Sequence, residues 1–320
     1  MDREKYKTGL VLEGGAMRGL FSAGVLDVMM ENDISFDGAA GISAGATFGC
    51  NIKSRQIGRA IRYNKKYAKD PRYCSMRSLI RTGDLYGVEF CYHILPDKLD
   101  VFDRKAFREN PMEFYIGATN VETGRITFHR CTDGGALDIE WMRASASMPL
   151  VSRAVEIGGK RYLDGGITDA VPYRFMEKRG YNRNVIILTQ HKGYRKKKNP
   201  RLLCLMAHQY PAIERAMSVR HEMYNRQMRE IQEREDRGEC LVIRPPEPLG
   251  ISRTENDPGE LERVYQTGRR EAEKRLDEIR DFLFDHQSES QSDPPESQES
   301  HEEPESHEEP ESQELSESQS

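Results

Sequence analysis

Apolar positions along this chain change their spacing several times, and each change predicts an element. Thr8 to Leu12 (Thr-Gly-Leu-Val-Leu) is a short continuous apolar run, the pattern of a buried strand. The loop Glu13-Gly14-Gly15-Ala16-Met17-Arg18-Gly19 follows. Leu20 to Met30 then carries apolar residues, among them Leu26, Met29 and Met30, at helical spacing. Ile34 to Ala40 leads into Gly41-Ile42-Ser43-Ala44-Gly45, and Ala46 to Cys50 can continue as a helix. Asn51 to Asp70 is basic and helical, and reads as a solvated face. Pro71 to Asp100 shows no clear period.

Farther on, Glu113–Thr119 and Arg125–Arg130 read as two strands joined by a turn at Asn120–Gly124. Small residues in Arg143–Leu150 predict a closely packed helix stopped at Pro149. Val155–Ile157 and Lys160–Leu163 flank Gly158-Gly159, a two-residue hairpin turn. Asn184–Thr189 and Cys240–Arg244 are further strands, the first followed by a basic loop, Lys192 to Arg201. Residues 201–236 are mostly helical with an interruption at Pro211. A last helix runs from about Gly259 to Phe284, with Leu261, Tyr265, Gly268, Ala272, Leu276, Ile279 and Leu283 along one face.

Beyond Asp285 the composition turns to Ser, Glu, Gln, His and Pro, with His-Glu-Glu-Pro-Glu-Ser repeated from His301 and His307. Such a segment cannot bury enough apolar surface to fold. The expected organisation is therefore a folded domain over 1–285 and a disordered acidic tail over 286–320. The tail changes the reading of charge. The chain of 320 residues has a net charge of −5, but the tail holds 12 acidic residues and no Lys or Arg. The body keeps 41 acidic against 48 basic residues, about +7, and can attract anionic surfaces. No stretch has the ~18 uninterrupted apolar residues of a membrane span, and the N-terminus lacks a signal-peptide core. Six scattered cysteines form no Cys-x-x-Cys pair. They predict neither a zinc site nor a disulfide framework, and fit a reducing, cytoplasmic compartment.

Gly41-Ile42-Ser43-Ala44-Gly45 has the form of a nucleophile elbow, which lifts a serine hydroxyl clear of a sheet at a helix N-terminus. A serine nucleophile needs a base and an oxyanion hole. The amides of Gly14, Gly15 and Ala16 are candidate oxyanion donors, and Arg18 can assist with a nearby phosphate. For the base, His191 is the best placed histidine, while His208 and His221 fall in amphipathic helices and read as surface residues. Two Asp-Gly-Gly sites compete as carboxylates. Asp133 reads as a surface turn, whereas Asp164 follows a strand and could be held rigidly. Burial would have to raise its proton affinity. The first forty residues also fit a relaxed dinucleotide fingerprint, Gly14-x-Ala16-x-x-Gly19 with Asp37 as the ribose acid.

Four stretches together resemble the patatin-like phospholipases: Glu13–Gly19, Gly41–Gly45, Ala144-Ser145-Ala146-Ser147-Met148-Pro149 and Asp164-Gly165-Gly166. The resemblance covers roughly residues 6–190 and is closest to bacterial members. It implies an α/β fold, a three-layer α/β/α sandwich with a mainly parallel central sheet. It also implies a Ser-Asp dyad with Ser43 as nucleophile, Asp164 as base and the Gly14–Gly19 loop as oxyanion hole. Glu13 stands where many members have Asp, and Ala16 where a third glycine is common; alanine still offers its N–H, so the hole survives if Ala16 keeps φ negative. The implied activity is hydrolysis of a lipid ester, a phospholipid or lysophospholipid, without cofactor or metal. The expected partner is an anionic membrane surface contacted peripherally, and not nucleic acid. A general esterase or neutral lipid lipase, a dinucleotide-binding protein and a catalytically silent scaffold are the alternatives.

Overall fold

A computed structural model of the protein describes residues 6–200 and 209–284. One eight-stranded sheet organises them. Its strands are β1 (Thr8–Leu12), β2 (Gly38–Ile42), β3 (Glu113–Asn120), β4 (Ile126–Cys131), β5 (Val155–Ile157), β6 (Lys160–Asp164), β7 (Arg183–Ile187) and β8 (Cys240–Ile243). They lie in the order β5-β6-β3-β2-β1-β7-β8, with β4 also paired to β3. The pairs β3–β2, β2–β1, β1–β7 and β7–β8 are parallel, and the pairs β3–β4, β3–β6 and β5–β6 are antiparallel. Both hairpins predicted from the sequence are present.

Strand residues alternate between two cores, as the pleat requires. Leu10, Leu12, Val185, Ile187, Leu241 and Ile243 face helices α1 (Gly19–Glu31) and, among those numbered below, α10 (Pro258–Lys274). Val11, Ala40, Ile186 and Val242 face Tyr173 and Met176 of α8 (Tyr173–Lys178) and Tyr224 and Ile231 of α9 (Pro211–Asp236). Helices on both faces of a mostly parallel sheet make the three-layer α/β/α sandwich. The shorter helices are α2 (Ala44–Thr47), α3 (Cys50–Ser54), α4 (Arg59–Tyr67), α5 (Met76–Thr82), α6 (Arg104–Glu109) and α7 (Ala136–Ala146). Every residue of α1 from Gly19 to Met29 is buried, because the helix is sandwiched between sheet and α10. The two helices cross so closely that a Cβ on Gly24 would overlap the Tyr265 carbonyl oxygen, and one on Gly268 that of Phe21.

Several expectations need correction. The basic stretch from Asn51 is broken at Arg55, which adopts φ 54°, and it is not uniformly solvated. Lys53 and Arg59 are buried. Lys53 donates to the carbonyls of Asn110 and Met112, both at 2.5 Å, and Arg59 to that of Asp100 at 2.7 Å. The stretch without a period holds α5 and a π-helical segment, Phe90–Leu99, that accommodates Pro96. Pro211 starts α9 instead of interrupting a helix, consistent with proline's tolerance at the first turn. The last helix is two, α10 and α11 (Leu276–Phe284), parted at Arg275. The acidic tail, and His208, lie outside the described residues. Among the described residues no helix is long and apolar enough to cross a membrane.

Candidate active site

Parallel pairing puts the C-terminal ends of β1, β2 and β7 on one rim. The glycine loop, the elbow and the basic loop after β7 all leave from it, the position where open α/β sheets bind ligands. Ser43 joins β2 to α2 with φ 55° and ψ −120°. A non-glycine residue at this positive φ is strained and persists only where neighbours hold it. Here the Ser43 carbonyl takes the amides of Ala46 and Thr47 at 2.9 and 3.0 Å, and its own amide donates to the Ser145 hydroxyl at 2.8 Å. The Ser145 hydroxyl donates in turn to the Gly117 carbonyl at 2.6 Å.

The glycine loop packs directly on the elbow. A Cβ on Gly14 would stand 3.0 Å from both the Ser43 Cβ and the Ile42 carbonyl oxygen, so only glycine lets the loop come this close. Gly15 is extended, with φ 177°. Ala16 takes φ 50°, contrary to the negative value on which the sequence made the hole depend; the condition was misplaced, because a left-handed residue keeps its N–H. The turn is left-handed, which is why glycine suits it and alanine sits there under strain. Among the described residues, the amides of Gly14, Gly15 and Ala16 donate to no protein acceptor. Glu13 anchors the loop from below. It is buried, and its carboxylate accepts the Thr189 amide at 2.6 Å and the Tyr224 hydroxyl at 2.8 Å.

Asp164 ends β6, which pairs with the end of β3 at Ala118. It is only 2% exposed. Oδ1 accepts the Gly166 amide at 2.7 Å, while Oδ2 is buried without an aligned partner. Burial raises the pKa of this carboxyl. The Ser43 hydroxyl is the foremost group acting the other way, ahead of the Arg220 guanidinium and the Gly166 amide. The structure thus brings Asp164 and Ser43 together, along with the Gly14–Ala16 loop. The end of α7 holds both side chains in place. Ser145 braces the Ser43 amide, and two residues on, the Ser147 carbonyl accepts the Asp164 amide at 2.8 Å. The sequence marked this stretch as a tight helix end but gave no sign of those two contacts.

Other sequence candidates fall elsewhere. His191 turns Nδ1 to the carbonyl of its neighbour Lys192 at 2.8 Å. His221, expected on the surface, has its Nδ1 buried. Asp133 receives the Gly135 amide at 2.8 Å in the turn before α7, as a surface turn would. The dinucleotide reading loses its acid: Asp37 precedes β2, at the opposite end of the strands, where it accepts the amide and hydroxyl of Thr8 at 2.7 and 2.9 Å. His129, Cys131 and Asp138 bring their ligand atoms within 4.8 Å of one another. Asp138 is already engaged there by His129 and by the amides of Thr132, Asp133 and Gly134, so the cluster serves as a loop clasp.

Arg18 leaves the glycine loop half-buried, its Nε enclosed without a partner. Arg220 of α9 was not distinguishable in the sequence from the other charges of an amphipathic helix. It donates Nε to the Gly166 carbonyl at 2.5 Å, two residues past Asp164. A cavity of about 350 Å³ opens at Ser43 and runs between Met17, Phe48, Tyr63, Tyr92, Leu95 and Met142. That volume falls within the roughly 300–1,000 Å³ of small-molecule pockets.

The chain is similar to several known proteins. YjjU of Escherichia coli (strain K12), an uncharacterised protein, is 31% identical over 191 residues, covering 57% of this chain and 52% of its own. Lysophospholipase NTE1 of Debaryomyces hansenii is 28% identical over 178 residues, covering 54% of this chain and 11% of that one. The chain thus spans about half the length of the first relative and about a tenth of the second. The solved structure of VipD from Legionella pneumophila aligns with a TM-score of 0.43 and 13% identity, over 86% of this chain and 67% of that one. A domain of unknown function (DUF6363) matches residues 210–284. The family model for patatin-like phospholipases matches residues 10–176, more than half of the chain, and the chain belongs to that family.

Proposed function

We propose that this protein is a serine acyl hydrolase of lipid esters, a phospholipase or lysophospholipase, working through Ser43 and Asp164. The observation that carries the reading is the buried Asp164 carboxyl beside the Ser43 hydroxyl, with Oδ2 free to take a proton. The Ser43 Oγ attacks the ester carbonyl and its proton passes to Asp164. The resulting oxyanion is held by the amides of Gly14, Gly15 and Ala16. As the tetrahedral intermediate collapses, the ester C–O bond breaks and Asp164 returns the proton to the leaving alcohol. Water, deprotonated by the same carboxylate, then releases the fatty acid. The aromatic and aliphatic walls of the cavity suit the acyl chain.

Exposed Lys192, Arg195, Lys197 and Lys198 stand on the rim that carries the site and support peripheral contact with an anionic membrane surface. The folded hydrolase unit is taken as residues 1–285, with 286–320 an appended tail.

A fluorophosphonate probe tests the reading. Wild type should label and cleave a lysophospholipid, and Ser43→Ala should do neither. Asp164→Ala should lose turnover by about 10³-fold or more. Equal labelling of wild type and Ser43→Ala would refute the assignment.

A further inference from the structure

Four basic side chains from four separate segments gather around the reacting pair. Arg18 comes from the glycine loop, its Nε buried and unpartnered. Arg220, from α9, is fixed by its bond to the Gly166 carbonyl. Lys196 follows β7 and lays its ammonium 4.3 Å from the centre of the Tyr224 ring. The Lys196 main chain is clasped on both sides by Asn225, at 2.8 and 3.0 Å. Arg253, exposed at the rim, lines the same cavity as Ser43. The four feel one another. Burial first, and then Arg220, Arg253 and Arg18, push the Lys196 pKa down to about 7.

Among the described residues none of the four forms an ion pair with a carboxylate. The acids that act on Lys196 and Arg220, Glu13 and Asp164, are already engaged by Thr189, Tyr224 and Gly166. Four basic groups against these two carboxylates leave a surplus of positive charge. A fold that collects like charges in a partly desolvated place holds them against mutual repulsion, and an anion relieves it. The apolar cavity opens at Ser43, and of the cations Arg253 lines it while Arg18, Lys196 and Arg220 stand outside its walls. An amphiphile bound across Ser43 would place its acyl chain in the cavity and its polar end on the cations.

We infer that Arg18, Lys196, Arg220 and Arg253 form a phosphate subsite, and that the preferred lipid carries a phosphomonoester, an acylglycerol phosphate. A terminal phosphate bears about −2 at neutral pH, which offsets a surplus of positive charge more fully than a single charge does, and its three oxygens can meet several donors at once. A phosphodiester headgroup bears one charge less. The inference rests on the acyl hydrolase reading for the substrate's other end.

Binding to Ser43→Ala protein tests it without turnover. Calorimetric titration with a short-chain acylglycerol phosphate, below its micelle concentration, is compared with the monoacylglycerol of the same chain and with inorganic phosphate. The phosphorylated lipid should bind at least about tenfold tighter than either. Adding Lys196→Met and Arg253→Gln should bring its affinity down to that of the monoacylglycerol. Arg253→Gln alone, at an exposed position, should give a partial loss without risk to folding. Equal affinities for the two lipids, or a preference unmoved by the variants, would overturn the subsite. So would inorganic phosphate binding as tightly as the lipid, since the site would then serve the free ion. Failure of the hydrolase reading shows separately, as a wild-type protein that neither labels nor cleaves while the binding preference stands.

Discussion

The Ser43 amide donates to the hydroxyl of Ser145, 102 residues away, across 2.8 Å. That hydroxyl is fully buried and also reaches the Gly117 carbonyl, so it pins the strained elbow to the end of β3. Ser145→Ala leaves an amide and a carbonyl buried without partners, at a cost of about 1–3 kcal/mol each. It also frees Ser43 to leave its positive φ. The variant should melt lower than wild type and lose about 10–100-fold in kcat/KM, since small misplacements of a nucleophile are costly. Full activity in Ser145→Ala would show that the elbow holds itself.

Activity should rise with pH along the ionisation of Asp164. In the proposed dyad the base is the Asp164 carboxylate, whose pKa burial lifts, so the acid limb should lie above the ordinary range for aspartate. Arg220 pulls that pKa down, and Arg220→Met should move the limb to higher pH. The same burial makes the ionised form a cost to the fold. Because the folded pKa is the higher one, stability falls as pH rises through it. Asp164→Asn, inactive, should therefore melt above wild type in mild alkali, and the gap should close on acidification. A limb unmoved in Arg220→Met would remove Arg220 from the base's surroundings.

Asp27 offers a second pH test, remote from the chemistry. Its Oδ2 accepts the Tyr265 hydroxyl at 2.7 Å and the Gly58 amide at 3.0 Å, and burial raises its pKa to about 6. Stability contributed by the protonated form is complete below the unfolded value of 3.8 and is lost as pH climbs through about 6. Two units correspond to about 3 kcal/mol. Asparagine keeps an oxygen that can accept both bonds. The advantage of Asp27→Asn over wild type in denaturant melts should grow by about that amount between about pH 3, below the unfolded value, and about pH 7. A constant difference would mean that folding does not raise the Asp27 pKa.

Ala16 holds a left-handed φ that costs a side chain roughly 1–2 kcal/mol. Glycine relieves this but gives back about 0.5–1 kcal/mol in chain entropy. Ala16→Gly should then be stabilising by up to about 1 kcal/mol and keep its fluorophosphonate labelling rate. A marked loss of labelling would show that the alanine methyl, and not only its amide, shapes the loop.

The legible parts of this protein were those written in consecutive residues. β1, the elbow and both hairpins declare themselves through short apolar runs and glycine turns, and the four stretches shared with the patatin-like phospholipases carried the fold. What escaped was set by partners distant in the chain. Lys53 and Arg59 look like ordinary surface charges until Asn110, Met112 and Asp100 come round to satisfy them. Glu13 meets Tyr224 across 211 positions. Lys196 read as one member of a basic loop on the rim, and Arg220 and Arg253 carried no mark of their own, because nothing local tells a helix face looking at water from one looking into a site. The sign of φ at Ala16 was equally hidden, since alanine gives no hint of the turn around it.

The close crossing of α1 and α10 bears on how the protein can be cut and recombined. The family match ends at residue 176, yet β8 completes the sheet, α10 locks the helix that leaves the glycine loop, and Arg220 and Arg253 come from the same late stretch. A fragment ending at residue 176 would expose the flank of β1 and one whole side of α1. The border seen by sequence matching is therefore not a seam in space. The proposed nucleophile and base, Ser43 and Asp164, belong to the first segment, and Arg220 and Arg253 to the second. Variation in the second could redirect the enzyme to a new headgroup while the reacting atoms stay as they are.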